Sequence, residues 1–384
     1  FQLTFSAPLS MASGCVGLAM YASYIFPGLS TTYFNYDLNL PLPLLGSLEA
    51  AITLNNGTFV AIGVVFLAVF MLYRKVAFIS KFSQFLWGGV IITVVWIIVS
   101  GITNFDRGLA FDFPPNAFHL DSAFFLGLGS AMLIALYDYW GYYNVNFFGG
   151  EVQNPTRNIP RAIIYSILAV AGVYIVMNIA ILGVLPWQEV SETAGSDARK
   201  YIVSVFMQKI YGTWAGNLVT LLVVWTAFAS VFSLLMGYSR VPYAAAVEGD
   251  YFKAFSKVHP KHKIPYVSLL ILGGVAICFC FLKLKDIIAA LVVIRLMVQF
   301  LAQTIGVIYF RIKNPNHARP FRMWLYPLPA VLAFSGFIYV LFSRQNFQKE
   351  IKYAVVLLVV GSIIYMWRAW RKKEWPFVQI ANNK

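Results

Sequence analysis

Long stretches without a single charge divide this chain, and they constrain its fold more than any other feature. No Asp, Glu, Lys or Arg occurs from residue 1 to 36, and further charge-free windows cover 50–73, 82–105, 162–188, 210–239, 264–282, 323–343 and 353–367. Two more windows, 122–150 and 287–310, each hold one charge, Asp138 and Arg295. Crossing about 30 Å of hydrocarbon takes roughly 20 apolar residues at ~1.5 Å per residue, and most of these ten windows are long enough. The alternating ten-residue pattern of a membrane barrel is absent, so the expected fold is an all-α polytopic membrane protein with ten spans. Composition agrees: 60% of the 384 residues are apolar and 11% charged, more apolar surface than soluble domains of this length can hide. Intrinsic disorder and collagen-like repeats are excluded on the same grounds. With only Cys15, Cys278 and Cys280, so is a disulfide scaffold.

The basic residues orient the spans. Nineteen Lys and Arg fall in the alternate loops at 74–81, 157–161, 240–263, 311–322 and 368–384; nine fall in the opposite set, and Arg295 completes the total. The richer set belongs in the cytosol, which puts both ends of this chain there, in an inner or plasma membrane. The net charge of +14 is therefore an orientation signal, with anionic lipid as a partner, and its dispersal over five loops argues against nucleic acid. Residue 1 is Phe, and neither a basic start nor a cleavage site is visible. The expectation is a chain that begins partway through a longer protein.

Most windows are bland. The fourth is not: Tyr137-Asp138-Tyr139-Trp140-Gly141-Tyr142-Tyr143-Asn144 puts aromatics, an acid and a glycine near its middle. Such a sequence predicts an interrupted helix, whose free ends attract ions near the midplane, against an unbroken span with an aromatic packing face. Asp138 is costly in hydrocarbon and so is a functional candidate. It could bind a substrate ammonium, carry a proton, or pair with Arg295, if only to fix helix packing. Arg295, Gln299 and Gln303 recur at helical spacing and predict one inward polar stripe. Thr226, Ser230, Ser233 and Gly237 form a milder stripe that suits helix packing as well as ligand contact. His259 and His262 sit in a basic loop that favours solvation, Cys278 and Cys280 face lipid or core, and Asn56-Gly57-Thr58 is a glycosylation sequon hard against a span. No metal cluster, phosphate loop or convergent acid–base group is present, so neither enzyme chemistry nor a cofactor is expected.

The stretch Gly141-Tyr142-Tyr143-Asn144-Val145-Asn146-Phe147, followed by Gly149-Gly150-Glu151-Val152-Gln153-Asn154-Pro155-Thr156-Arg157-Asn158-Ile159-Pro160-Arg161-Ala162, resembles the APC (amino acid–polyamine–organocation) superfamily. Ser239-Arg240 through Glu248-Gly249-Asp250, and Pro320-Phe321-Arg322 with Leu325-Tyr326-Pro327-Leu328-Pro329, support the likeness over essentially the whole chain. The resemblance implies the leucine-transporter-like inverted-repeat fold, with the ten spans equivalent to helices three to twelve and helices one and two missing. Residues 1–384 would be one transmembrane transporter domain. Within it, 1–105 is the rest of the first repeat, 106–313 the second, and 314–384 two additional helices with a basic tail. It also implies substrate contacts from Tyr137, Asp138, Tyr139, Trp140, Gly141 and Tyr142, with Tyr21 and Tyr24, Thr226 and Ser230, and Arg295 with Gln299 lining the pocket. Two departures from the family pattern stand out. Val90 occupies the position of a family lysine linked to proton coupling, and Trp140 replaces the usual Asp before the glycine.

The expected function is secondary active transport of amino acids by alternating access, with the substrate amino group at the unwound fourth span. A polyamine or other organic-cation permease, or a non-transporting scaffold or sensor, remains the alternative. Substrate identity, coupling ion and oligomeric state are not encoded legibly.

Overall fold

The computed structural model describes residues 2–42, 46–115, 117–191, 197–319, 321–343 and 347–373. Among the described residues, eleven main helices carry the chain. They are α1 (Gln2–Ala22), α2 (Asn56–Leu72), α3 (Val76–Thr103), α4 (Ser122–Asp138), α5 (Pro155–Leu182), α6 (Thr213–Tyr238), α7 (Tyr266–Phe279), α8 (Leu284–Ile294), α9 (Leu301–Lys313), α10 (Leu328–Phe342) and α11 (Phe347–Lys372). Among the described residues, five segments are long and apolar enough to cross a bilayer on their own: Phe5–Ala22, Ala77–Thr103, Ser122–Glu151, Pro155–Leu182 and Thr213–Val247. The protein is a mostly helical, multi-pass membrane protein.

The first charge-free window is not one span, which corrects the all-α expectation. Helix α1 stops at Ala22, Pro27–Ser30 forms a 3-10 turn, and Thr32–Leu42 (β1) pairs antiparallel with Gly46–Asn55 (β2). Pro27-Gly28 breaks the helix, and the sequence after it alternates Tyr33, Asn35, Asp37 and Asn39 with Phe34, Tyr36 and Leu38. Being uncharged up to residue 36 did not make it a helix. The hairpin is tied down at its base, where Thr53 N–H donates to the Phe281 carbonyl at 2.7 Å. Asn55 then caps α2: its side chain accepts from Thr58 N–H at 2.7 Å, and the Thr58 hydroxyl takes the Asn55 N–H at 3.2 Å. Next to it, the Asn56 amide donates to Gly28 O and accepts from the Tyr33 hydroxyl. The sequon is thus folded into the helix start.

Helix α1 runs through the middle of the packing, against α2, α6, α7 and α8. Its contacts are small: Ala12 and Cys15 meet a core that includes Ala61, Val65, Ala68, Phe232, Leu235, Leu272 and Ala276. In lipid, where apolar burial drives little, such residues let helices approach closely enough for dispersion contacts. Val90 packs at the edge of this core. Of the two neighbouring free cysteines, Cys280 is buried and Cys278 exposed. The periphery behaves differently. Helix α5 has none of its apolar window buried, and it rests on α3 where a Cβ on Gly101 would come within 2.9 Å of the Ala180 carbonyl oxygen.

Candidate functional site

The fourth window is interrupted. Helix α4 ends at Asp138, Tyr139 and Trp140 turn, Gly141 takes φ +126°, and a 3-10 helix runs from Tyr142 to Glu151. A side chain at that φ would clash with its own backbone, so the position calls for glycine. The motif after it makes a second turn. Asn154 is left-handed at φ 48°, Pro155 opens α5, and the Asn158 amide donates to the Gln153 carbonyl at 2.6 Å. Two bends in seventeen residues thus deliver the chain from α4 to α5 through a short, tightly wound segment.

Around the first bend the structure gathers residues from four helices. The Tyr137 hydroxyl bonds Ser13 Oγ of α1 at 2.9 Å. Arg295 donates from one nitrogen to Ser10 Oγ of α1 at 2.7 Å and to the Tyr238 hydroxyl of α6 at 2.8 Å. The guanidinium also faces three rings: Trp140 at 5.0 Å, Tyr143 at 5.7 Å and Tyr238 at 5.7 Å. Phe300 closes the group, 6.1 Å from both Trp140 and Tyr143. Arg295 is 1% exposed, yet among the described residues it makes no ion pair. A buried cation answered only by hydroxyls and π-faces keeps its field available to an anionic or dipolar group.

Four buried polar atoms at this bend have no hydrogen-bond partner among the described residues: Trp140 Nε1, the Tyr143 hydroxyl, Asn144 Oδ1 and Arg295 Nε. Native interiors leave few such atoms, and when several meet at one point they mark a place for a ligand or water. Arg295 opens a π-helical turn, Arg295–Phe300, between α8 and α9. Turns of this kind are frequent at functional sites.

The remaining candidates go elsewhere. Asp138 does not pair with Arg295. Its side chain is exposed, and its carbonyl accepts the Tyr174 hydroxyl of α5 at 3.1 Å. The polar stripe on Arg295, Gln299 and Gln303 is broken, because the wider π turn rotates later residues off the α-helical face: Gln299 is half-buried and Gln303 exposed. Tyr21 and Tyr24 lie at the far end of α1, eight and eleven residues beyond Ser13, which is roughly 12–16 Å along the axis. There Tyr21 accepts from the Val203 and Ser204 amides, and Tyr24 donates to Gln208, clamping α1 to the helix Ile202–Tyr211. Thr226 and Ser230 bond back to Leu222 O and Thr226 O of their own helix. The α1 and α6 residues that do reach the bend, Ser10, Ser13 and Tyr238, were not singled out from the sequence. Ser6, Ser10 and Ser13 do follow helical spacing, which was a readable signal.

A cavity of about 770 Å³ opens beside the 3-10 segment, with Ser83 and Gln84 of α3 on one wall and Tyr243 on another. At its edge Arg240 pairs with Glu151 at 2.9 Å, donates to Met236 O at 2.7 Å and lies 4.5 Å from the Phe148 ring. The acid and the arginine that the two family motifs contribute thus join the end of the interrupted segment to the end of α6.

The family model described as "Amino acid permease" matches residues 1–366. The chain belongs to the amino acid permease family. That family lies within the APC superfamily and is one of transporters rather than enzymes. Among its relatives, a branched-chain amino acid permease of Bacillus subtilis (strain 168) is 28% identical over 242 residues, covering 63% of this chain and 50% of the relative. A serine/threonine exchanger of the same organism is 24% identical over 66% of this chain and 56% of its own length. The human cystine/glutamate transporter is 27% identical over 78% of this chain and 58% of its own. This chain therefore spans half to three-fifths of the length of these three relatives.

Proposed function

We propose that the protein is a secondary active transporter of amino acids, sited in a cell membrane with both ends of this chain cytoplasmic. It works by alternating access around the interrupted fourth crossing. The observation that carries the reading is the meeting of four unpartnered buried polar atoms at the bend, on Trp140, Tyr143, Asn144 and Arg295. A zwitterion answers both signs there. Its ammonium suits the carbonyl end of α4, where the helix dipole is negative, and its carboxylate suits donors such as Trp140 Nε1 and Arg295 Nε. Tyr137, Tyr139, Gly141 and Tyr142 frame that position, the Asp138 carbonyl that accepts the Tyr174 hydroxyl belongs to the same helix end, and the Arg295 cation disfavours a polyamine beside it. Ten crossings in two inverted repeats, 1–105 and 106–313, with 314–384 appended, give the scaffold.

The test is uptake of a radiolabelled amino acid panel by the permease in liposomes, with and without a pH gradient. Saturable uptake, with substrate protecting Trp140 from chemical labelling, is expected. Neither uptake nor protection with any amino acid would leave a scaffold, and uptake of organic cations alone would favour the polyamine alternative.

A further inference from the structure

A second cavity, about 1000 Å³, lies between the turn that follows the helix Arg240–Val247 and the C-terminal half of α11. Its walls are apolar. Val247, 61% exposed, and Phe252, 49% exposed, face Gly361 and Ile364 across the slot. Because Gly361 has no side chain, the slot stays open along α11.

The mouth is basic. Arg368 is already engaged: it donates to the Gly249 and Asp250 carbonyl oxygens and lies 3.7 Å from the Asp250 carboxylate. Asp250 is thereby answered, and the two other cations at the rim, Lys253 and Arg371, make no ion pair among the described residues. Arg371 stacks on the Trp367 ring at 4.3 Å, which holds its charge at the rim. This end of α11 lies on the face that carries most of the loop Lys and Arg.

An apolar slot with two surplus cations at its mouth, at the basic end of the last charge-free window, matches one kind of molecule. We infer that this groove binds an anionic glycerophospholipid, its phosphate on Lys253 and Arg371 and one acyl chain in the slot between Val247, Phe252, Gly361 and Ile364. A soluble anion has no use for the slot. A zwitterionic lipid brings a choline cation against the two basic residues. The bound lipid bridges α11 to the segment that begins at Arg240, so it braces the helix end on which the Arg240–Glu151 pair sits.

Native mass spectrometry of the purified protein, titrated with palmitoyl-oleoyl phosphatidylglycerol or phosphatidylcholine, tests this, with glycerol 3-phosphate as a soluble competitor. One phosphatidylglycerol is expected to be retained at a concentration at which phosphatidylcholine is not. Replacing both cations, Lys253→Gln with Arg371→Gln, weakens phosphatidylglycerol by about thirtyfold and leaves phosphatidylcholine unchanged. Gly361→Leu fills the slot and weakens phosphatidylglycerol without altering charge. Equal retention of the two lipids would overturn the assignment, as would undiminished phosphatidylglycerol binding by the double variant. Displacement by glycerol 3-phosphate at matched concentration would overturn it in favour of a soluble anion. If a variant fails to fold, the comparison of the two lipids on the unsubstituted protein decides alone.

Discussion

Arg295 gives the sharpest quantitative test, because both of its described hydrogen bonds leave one nitrogen, to Ser10 Oγ at 2.7 Å and to the Tyr238 hydroxyl at 2.8 Å. A hydrogen bond to a charged group stabilises by ~1.5–3 kcal/mol net, and losing one partner leaves a buried cationic N–H unmet. Tyr238→Phe alone should therefore cost about 2–3 kcal/mol. In an Arg295→Met background the bond to the cation is already gone, so the same substitution should cost only about 1 kcal/mol, for the contact that the Tyr238 hydroxyl keeps with Ser10. The coupling energy of the cycle is then about 1–2 kcal/mol, above the ~0.5 kcal/mol seen between independent sites. Denaturant titration of the four proteins in mixed micelles, followed by tryptophan fluorescence, measures it. Coupling at the independent-site level would refute the claim that the Tyr238 hydroxyl helps to hold this guanidinium in place. In liposomes, Arg295→Gln should impair amino acid uptake, and a wild-type rate would remove the cation from the mechanism.

Other outcomes follow from the same geometry. Asp138→Asn is expected to lower uptake, and unchanged transport would take the carboxylate out of the mechanism. Gly141→Val forces a branched side chain onto φ +126° and should cost ~1–3 kcal/mol together with uptake, read by denaturant titration and liposome assay; full stability would mean that the turn relaxes freely. Tyr21→Phe and Tyr24→Phe should each lower stability by about 1 kcal/mol while leaving the half-saturation concentration unchanged, since both hydroxyls clamp α1 to the helix Ile202–Tyr211. A tenfold shift in half-saturation would return them to the substrate site. Asn56→Gln should not change electrophoretic mobility after expression in a glycosylating host, because the Asn56 amide is bonded at the start of α2.

The break in the fourth charge-free window was legible because its cause is local. Gly141 permits a backbone angle that other residues resist, and Asn154-Pro155 with Asn158 sets the next turn from within five residues. The hairpin was missed for a related reason: the absence of charge reports burial or proximity to lipid, while the alternation after Pro27-Gly28 reports extended backbone. Arg295, Gln299 and Gln303 looked like one stripe under the assumption of a regular α-helix, which the π turn violates.

What the sequence determined by itself was the medium and the local breaks: a charge in hydrocarbon is expensive wherever it falls, so charge-free windows mark membrane segments before any packing is known. Tertiary structure alone decided which polar groups meet at the bend. Ser10 and Arg295 stand 285 positions apart, and Tyr238 is a further partner from a third helix. Spacing within one helix carries no information on the rotation and depth at which another helix packs beside it, because those are set by how small residues such as Ala12, Cys15, Ala61 and Ala276 interlock.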